Sequence, residues 1–291
     1  MRIAVIGFGE VGLVLAGDLV NHHALTCWDI GFVDPDSAPS HNASSLHLRP
    51  SKGMAGAVGG ADLVLSAVTA ANAVAVASDA AASVQRGAWF VDLNSAAPEH
   101  KRQASGIITQ AGGRYVEVAV MSPILPLRGA APMLLGGPHA REFASVAEDI
   151  GLNATRWYSD TVGPASATKL CRSIVVKGLE ALVLESMLVA REWRVESEVL
   201  RSLSNLVPVA NWDELAAYLI TRTLRHGSRR AEEMEEAAAM GAEAGVGPVM
   251  ATATAHTQAW AATYHSAADG ADVGDVAAIV DGIRLQIPAQ S

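Results

Sequence analysis

The chain is poor in cysteine, with Cys27 and Cys171 the two thiols among 291 residues. Two thiols cannot build a disulfide framework, and in strand-like and helix-like surroundings both read as buried structural side chains. Aromatic residues make up 5%, and Trp193, Trp212 and Trp260 read as core or interface residues, not as a stacking platform for bases. Basic charge is also in deficit. A net charge of −9 and an isoelectric point near 5.4 argue against a nucleic-acid surface, which needs a concentrated basic face. No uninterrupted apolar run reaches membrane-spanning length, and no basic segment precedes a separate apolar run and cleavage site. The expectation is a soluble cytoplasmic protein with neither nucleic acid nor membrane as partner. His256 and His265 have no ligand spacing around them, so no metal is expected.

Hydrophobic residues make up 50% of the chain, enough for a large core in one or two domains. Abundant alanine and glycine suit close helix packing. The most informative stretch is Ile3-Ala-Val-Ile-Gly-Phe-Gly-Glu-Val-Gly12, an apolar strand running into a Gly-x-Gly-x-x-Gly turn and then a helix over Val11–Val20. Such a turn suits a dinucleotide pyrophosphate. Gly7 permits the tight turn, Gly9 removes side-chain bulk under the phosphates, and Gly12 lets helix and strand approach. Phe8, Glu10 and Val11 complete the cofactor-facing turn, and the helix start offers free N–H groups to an anion.

Further strands are expected at Ala24–Trp28, Leu63–Ala67, Trp89–Asp92, Tyr115–Val118 and Met133–Leu135, with helices such as Ala71–Val84 and Pro98–Ala111 between them. This alternation predicts an α/β Rossmann domain with a mostly parallel sheet over residues 1–162. From Ala165 to Trp193 the pattern becomes helical without interruption. Later helices are expected at Trp212–Arg225, Arg229–Ala244, Pro248–His265 and Val273–Leu285, so residues 163–291 read as an all-α substrate and dimerisation domain.

Asp29 ends the second strand, where an acidic side chain can accept the hydroxyl hydrogens of an adenosine ribose and repel a 2′-phosphate. NAD(H) is therefore favoured, with NADP(H) as the alternative, and a turn-capping role for Asp29 is the structural reading. Val68, Thr69, Asn94 and Ser95 follow strand ends and can face the nicotinamide or substrate; simple capping is the rival reading. Ser122, beyond the fifth strand, can orient a substrate carboxylate or carbonyl, or make a loop hydrogen bond. Lys169 can protonate a developing alkoxide or accept an alcohol proton, although a lone helical lysine is ordinarily a solvent-facing charge. Ser173 lies one turn beyond it. In His226-Gly-Ser-Arg-Arg-Ala-Glu-Glu-Met234, Arg229 can bind a substrate carboxylate, or Arg229 and Arg230 can pair with Glu232, Glu233 or Glu236 on the surface.

The glycine fingerprint, Asp92–Pro98, Glu117–Pro123 and Gly163–Lys169 together resemble the β-hydroxyacid dehydrogenase superfamily, which includes 3-hydroxyisobutyrate and 6-phosphogluconate dehydrogenases. The resemblance covers nearly the whole chain and is to a branch with a divergent C-terminal domain. It implies an NAD(P)-dependent oxidoreductase moving hydride to or from a hydroxy acid or related alcohol or carbonyl, with Lys169 as general acid/base and a homodimeric assembly. Met121, Ser122 and Pro123 replace the superfamily's serine and two glycines, and Ser173 replaces its asparagine, which suggests a larger or less polar substrate. Imine reduction and a noncatalytic dinucleotide-binding role are the alternatives; retention of Lys169 weighs against the first.

Overall fold

The computed structural model describes residues 1–203, 208, 211–245, 247–268 and 275–287. These fall into two compact units, Met1–Leu170 and Cys171–Ser291.

The first unit is built on seven strands: β1 (Arg2–Ile6), β2 (Ala24–Trp28), β3 (Leu63–Ser66), β4 (Trp89–Asp92), β5 (Arg114–Val120), β6 (Met133–Gly136) and β7 (Thr155–Ser159). Their spatial order is β2-β1-β3-β4-β5-β6-β7. Strands β1 to β5 are parallel, β6 runs antiparallel to β5, and β7 is parallel to β6. Both faces are covered, so the inner strands carry unbroken apolar runs: Ile3 to Ile6, Leu63 to Leu65 and Phe90 to Val91 are all buried. Each fully buried Leu, Ile or Val side chain contributes about 1.5–3 kcal/mol. The helices of this unit are α1 (Glu10–Leu19), α2 (Ala38–Ser45), α3 (Met54–Val58), α4 (Ala73–Ala81), α5 (Pro98–Gln110), α6 (Ile124–Leu127), α7 (Ala140–Asp149) and the start of α8 (Pro164–Trp193).

The chain leaves β1 for β2 on one side and then crosses back to β3 on the other. That reversal makes the β1/β3 junction a switch point, where a crevice opens outside the strand carboxyl ends. The five parallel strands bring the segments after β1, β3, β4 and β5 to one edge of the sheet. The six strands expected from the sequence are all present. Strand β7 was not expected; its Arg156, Trp157 and Tyr158 are exposed, so it lacks the apolar pattern of a covered strand.

The second unit continues α8 and adds α9 (Glu196–Leu203), α10 (Trp212–Glu243), α11 (Val249–Ala262) and α12 (Val276–Arg284). Its core contains Leu184, Met187, Leu219, Ile220, Leu224, Ile279 and Ile283. The two helices expected on either side of His226 are one helix. Gly227 does not break it but lets α11 approach, since a Cβ there would lie 2.3 Å from the Gln258 carbonyl oxygen. The expected start of the last helix, Val273 and the next residue, lies outside the described residues. The division between the units falls inside α8, and Glu117 of β5 holds the backbone of Gly163 and Ser166 at the start of that helix. Among the described residues, no helix is long and apolar enough to cross a membrane.

Candidate active site

The glycine turn has the geometry its spacing demands. Gly7 has φ +88, and a Cβ on it would stand 2.3 Å from the Ala67 carbonyl oxygen at the end of β3. At Gly12 a Cβ would stand 1.9 Å from the Gly7 carbonyl oxygen. Gly9 differs from both: a Cβ there meets nothing within 4 Å. The space over Gly9 adjoins the start of α1, which no side chain caps. These features fit a dinucleotide pyrophosphate, which needs backbone N–H groups and an absence of side-chain bulk. Glu10 and Val11 open the helix, both half-buried. Phe8 points inward, fully buried and 5.8 Å from the Phe32 ring, so only its backbone belongs to the turn.

Asp29 is tied to that turn. Its Oδ2 accepts the Phe8 N–H at 2.6 Å, and its Oδ1 accepts the Gly31 N–H at 2.7 Å, capping the short helix Ile30–Val33. The capping role is therefore present, directed to Gly31. Each carboxylate oxygen keeps a further lone pair for a ribose hydroxyl.

At the carboxyl ends of β3 and β4 a second set of contacts joins the loops. Asn94 is buried; its Oδ1 accepts the Val68 N–H at 2.7 Å and its Nδ2 donates to Ser66 Oγ at 3.1 Å. It therefore serves as a tie between the two strand ends. Thr69 is exposed, and its hydroxyl accepts from Asn72 Nδ2 at 2.9 Å. The N-cap of α5 is Ala97, whose methyl side chain makes no cap hydrogen bond. Ser95 Oγ accepts from Lys169 Nζ at 2.5 Å. Ser122 sits beyond β5 at the same sheet edge, its hydroxyl 3.5 Å from the Pro123 carbonyl oxygen. Neighbouring Met121 packs against Ala119, Leu134 and Ala165, which makes that side apolar.

Lys169 owes its place to Glu117. This fully buried carboxylate accepts the N–H groups of Gly163 and Ser166, each at 2.7 Å. It acts as the missing cap of α8, where negative charge is favoured by the helix dipole. Glu117 lies within a motif the sequence singled out, but its role was not apparent there. Its partners are more than forty residues away.

In the second unit Ser173 is buried between α8 and α10. It donates to Glu233 Oε1 at 2.6 Å and accepts from Lys177 Nζ at 3.1 Å, while Lys177 pairs with Glu233 at 3.0 Å. Burial pulls the Lys177 ammonium below the ordinary lysine value, with Glu233 opposing that shift. Arg229 is exposed, whereas Arg230 is buried and paired with Glu180 of α8. The surface pairing expected for Arg230 along its own helix is thus replaced by a buried pair between helices. Burial also lowers the Arg230 guanidinium from its usual value. Nothing in the sequence singles out Lys177 or Glu180; only their partners on α10 distinguish them. Among the described residues no group of three or more His, Cys, Asp or Glu side chains is arranged to hold a metal ion.

The NAD binding domain of 6-phosphogluconate dehydrogenase matches residues 2–148. A domain family of unknown function (DUF1932) matches residues 190–261. A conserved hypothetical protein from Sinorhizobium meliloti is 35% identical, with 97% of this chain and 96% of that one aligned and a TM-score of 0.72. A 3-hydroxyisobutyrate dehydrogenase from Mycobacterium tuberculosis, solved with L-serine, has 17% identity, 97% and 99% coverage and a TM-score of 0.70. A reductive aminase from Aspergillus terreus, solved with NADPH and ethyl levulinate, has 18% identity, 97% and 99% coverage and a TM-score of 0.56. The likeness to these last two is one of fold.

Proposed function

Because the chain belongs to the family defined by the NAD binding domain of 6-phosphogluconate dehydrogenase, we propose that it is an NAD(P)-dependent oxidoreductase acting on a hydroxy acid or a related alcohol or carbonyl compound. The observation that carries this reading is the hydrogen bond from Lys169 Nζ to Ser95 Oγ at the carboxyl edge of the parallel sheet. It sets a proton-carrying group on the edge that the glycine turn also occupies.

The nicotinamide dinucleotide, when bound, supplies the hydride donor or acceptor. Gly7, Gly9 and Gly12 with the start of α1 would hold its pyrophosphate, and Asp29 its ribose hydroxyls. A carboxylate at that point repels a 2′-phosphate, so NAD is the preferred form. In the reducing direction the Lys169 ammonium delivers a proton to the oxygen of the carbonyl as charge develops on it. In the oxidising direction neutral Lys169 receives the hydroxyl proton. Ser95 holds the Nζ in place, and Ser122 offers a hydroxyl for a substrate oxygen beside the apolar flank of Met121.

The protein is further proposed to act as a homodimer. Helix α8 exposes Val175, Leu179, Leu182, Val189 and Trp193, whose spacings of three, four and seven residues set them along one side of the helix, a face suited to a second copy. Light scattering on the purified protein tests this, with a monomer the contrary result.

The function itself is tested by a screen of hydroxy acids, alcohols, ketones and imines, followed through nicotinamide absorbance. Turnover of C–OH or C=O compounds in preference to C=N is the expected result. A preference for C=N would make the protein an imine reductase, and dinucleotide binding without turnover of any class would make it a noncatalytic binding protein.

A further inference from the structure

We propose that Lys101 is a positioning residue for Lys169, acting through Asp92 and the Asn94–Ser95 turn. Lys101 lies on α5, and its side chain is completely buried. Its Nζ donates to Asp92 Oδ1 at 2.8 Å and to the Asp92 carbonyl oxygen at 3.0 Å. The second contact matters for the path of the chain. Asp92 is the last residue of β4, and Lys101 takes up a carbonyl at the point where the chain turns out of the sheet.

Around this ammonium the polar groups are closely matched. Asp92 Oδ1 also accepts the Asn94 N–H at 2.9 Å, and Asp92 Oδ2 accepts the Tyr115 hydroxyl at 2.7 Å. Burial, with the Asp92 charge beside it, lifts the Tyr115 phenol well above its usual value, so it remains a donor. Asn94 in turn holds Val68 and Ser66 of the neighbouring strand end. Ser95, the next residue, accepts from Lys169. Hydrogen bonds from Lys101 through Asp92 to Asn94, the covalent step to Ser95, and the Ser95–Lys169 hydrogen bond thus link a buried cation to the proposed proton carrier, all within the first unit.

Stability alone is a weak reason for such a pair. A buried ion pair is often replaced by neutral side chains without loss of stability, whereas removing one partner leaves a stranded charge. What the pair supplies here is a fixed exit from β4. The geometry does not depend on the oxidoreductase reading, but its catalytic consequence rests on that reading.

The test compares Lys101→Met with the double variant Lys101→Met/Asp92→Asn, which removes the stranded carboxylate. Melting temperature, kcat, KM, dinucleotide affinity and the acetylation rate of Lys169 by acetic anhydride are measured for each. Exposed Lys52 serves as the internal reference for acetylation. The double variant should recover the wild-type melting temperature yet keep a kcat lowered by about tenfold or more, as expected for a misplaced catalytic group, with KM and dinucleotide affinity unchanged. Its Lys169 acetylation rate should differ severalfold from wild type. Recovery of wild-type kcat and Lys169 reactivity along with stability would overturn the proposal and leave Lys101 a purely structural residue. If the wild-type protein turns over no substrate, the oxidoreductase reading fails by itself. The acetylation rates then decide the positioning role alone: altered reactivity supports it and unchanged reactivity overturns it.

Discussion

Glu117 and Ser166 are joined by a 2.7 Å hydrogen bond in which the carboxylate Oε1 accepts the backbone N–H, while the other oxygen takes Gly163. One side chain of the sheet thereby caps the helix that carries Lys169. Replacing Glu117 by glutamine removes the charge and turns one acceptor into a donor facing an N–H. The expected loss is about 1–3 kcal/mol of stability, read by urea unfolding. Turnover should fall as well, because the Lys169 helix loses its anchor.

Two glycines of the same turn should respond differently to the same methyl group. Gly12→Ala forces a Cβ to within 1.9 Å of the Gly7 carbonyl oxygen, so its main effect should be a lowered melting temperature. Gly9→Ala meets open space at φ −74 and should fold normally. Its expected defect is weaker dinucleotide binding, by about tenfold or more, from bulk placed where the phosphates need the bare backbone. Titration of the nicotinamide fluorescence with each purified variant checks both outcomes. Undiminished binding by a folded Gly9→Ala protein would place the phosphates elsewhere.

Asp29→Asn keeps the size of the side chain and removes its charge. The ratio of NADPH to NADH dissociation constants should fall by about tenfold, the scale of one hydrogen bond to a charged group plus the relieved repulsion. Because Asp29 also accepts from Phe8 and Gly31, a small loss of thermal stability should accompany the change. An unaltered ratio would show that Asp29 serves the turn alone.

The covered strands were legible in the sequence because burial on both faces leaves a short apolar run, as in Leu63–Leu65 and Phe90–Val91. The edge strand Thr155–Ser159 was not, since exposed Arg156, Trp157 and Tyr158 carry no such signal. The glycine turn was legible because each glycine answers a local steric demand. Lys101, Lys177 and Glu180 were not legible as buried charges. A lysine or glutamate on a helix reads as solvated until its partner is known, and these partners lie on other elements. The pairing of Lys169 with Ser95 brings together two residues the sequence had marked separately.

The two cysteines should react at different rates. Burial raises the Cys27 thiol from 9.0 to about 11, so between those values the folded chain keeps a proton that the unfolded chain releases. Linkage then makes stability fall as pH rises through that window. Cys27→Ala should flatten that part of the curve in urea unfolding measured across alkaline pH; an unchanged slope would mean the thiol is not the cause. Ellman's reagent should label exposed Cys171 well before Cys27.

The most direct measurement concerns Lys169 itself. In single-turnover reactions with a substrate from the screen, Lys169→Ala should bind the dinucleotide as wild type does and slow the hydride-transfer step by about 10²–10⁴-fold, the usual worth of a positioned general acid or base. A Lys169→Ala protein that transfers hydride at the wild-type rate would contradict its assignment as the proton carrier.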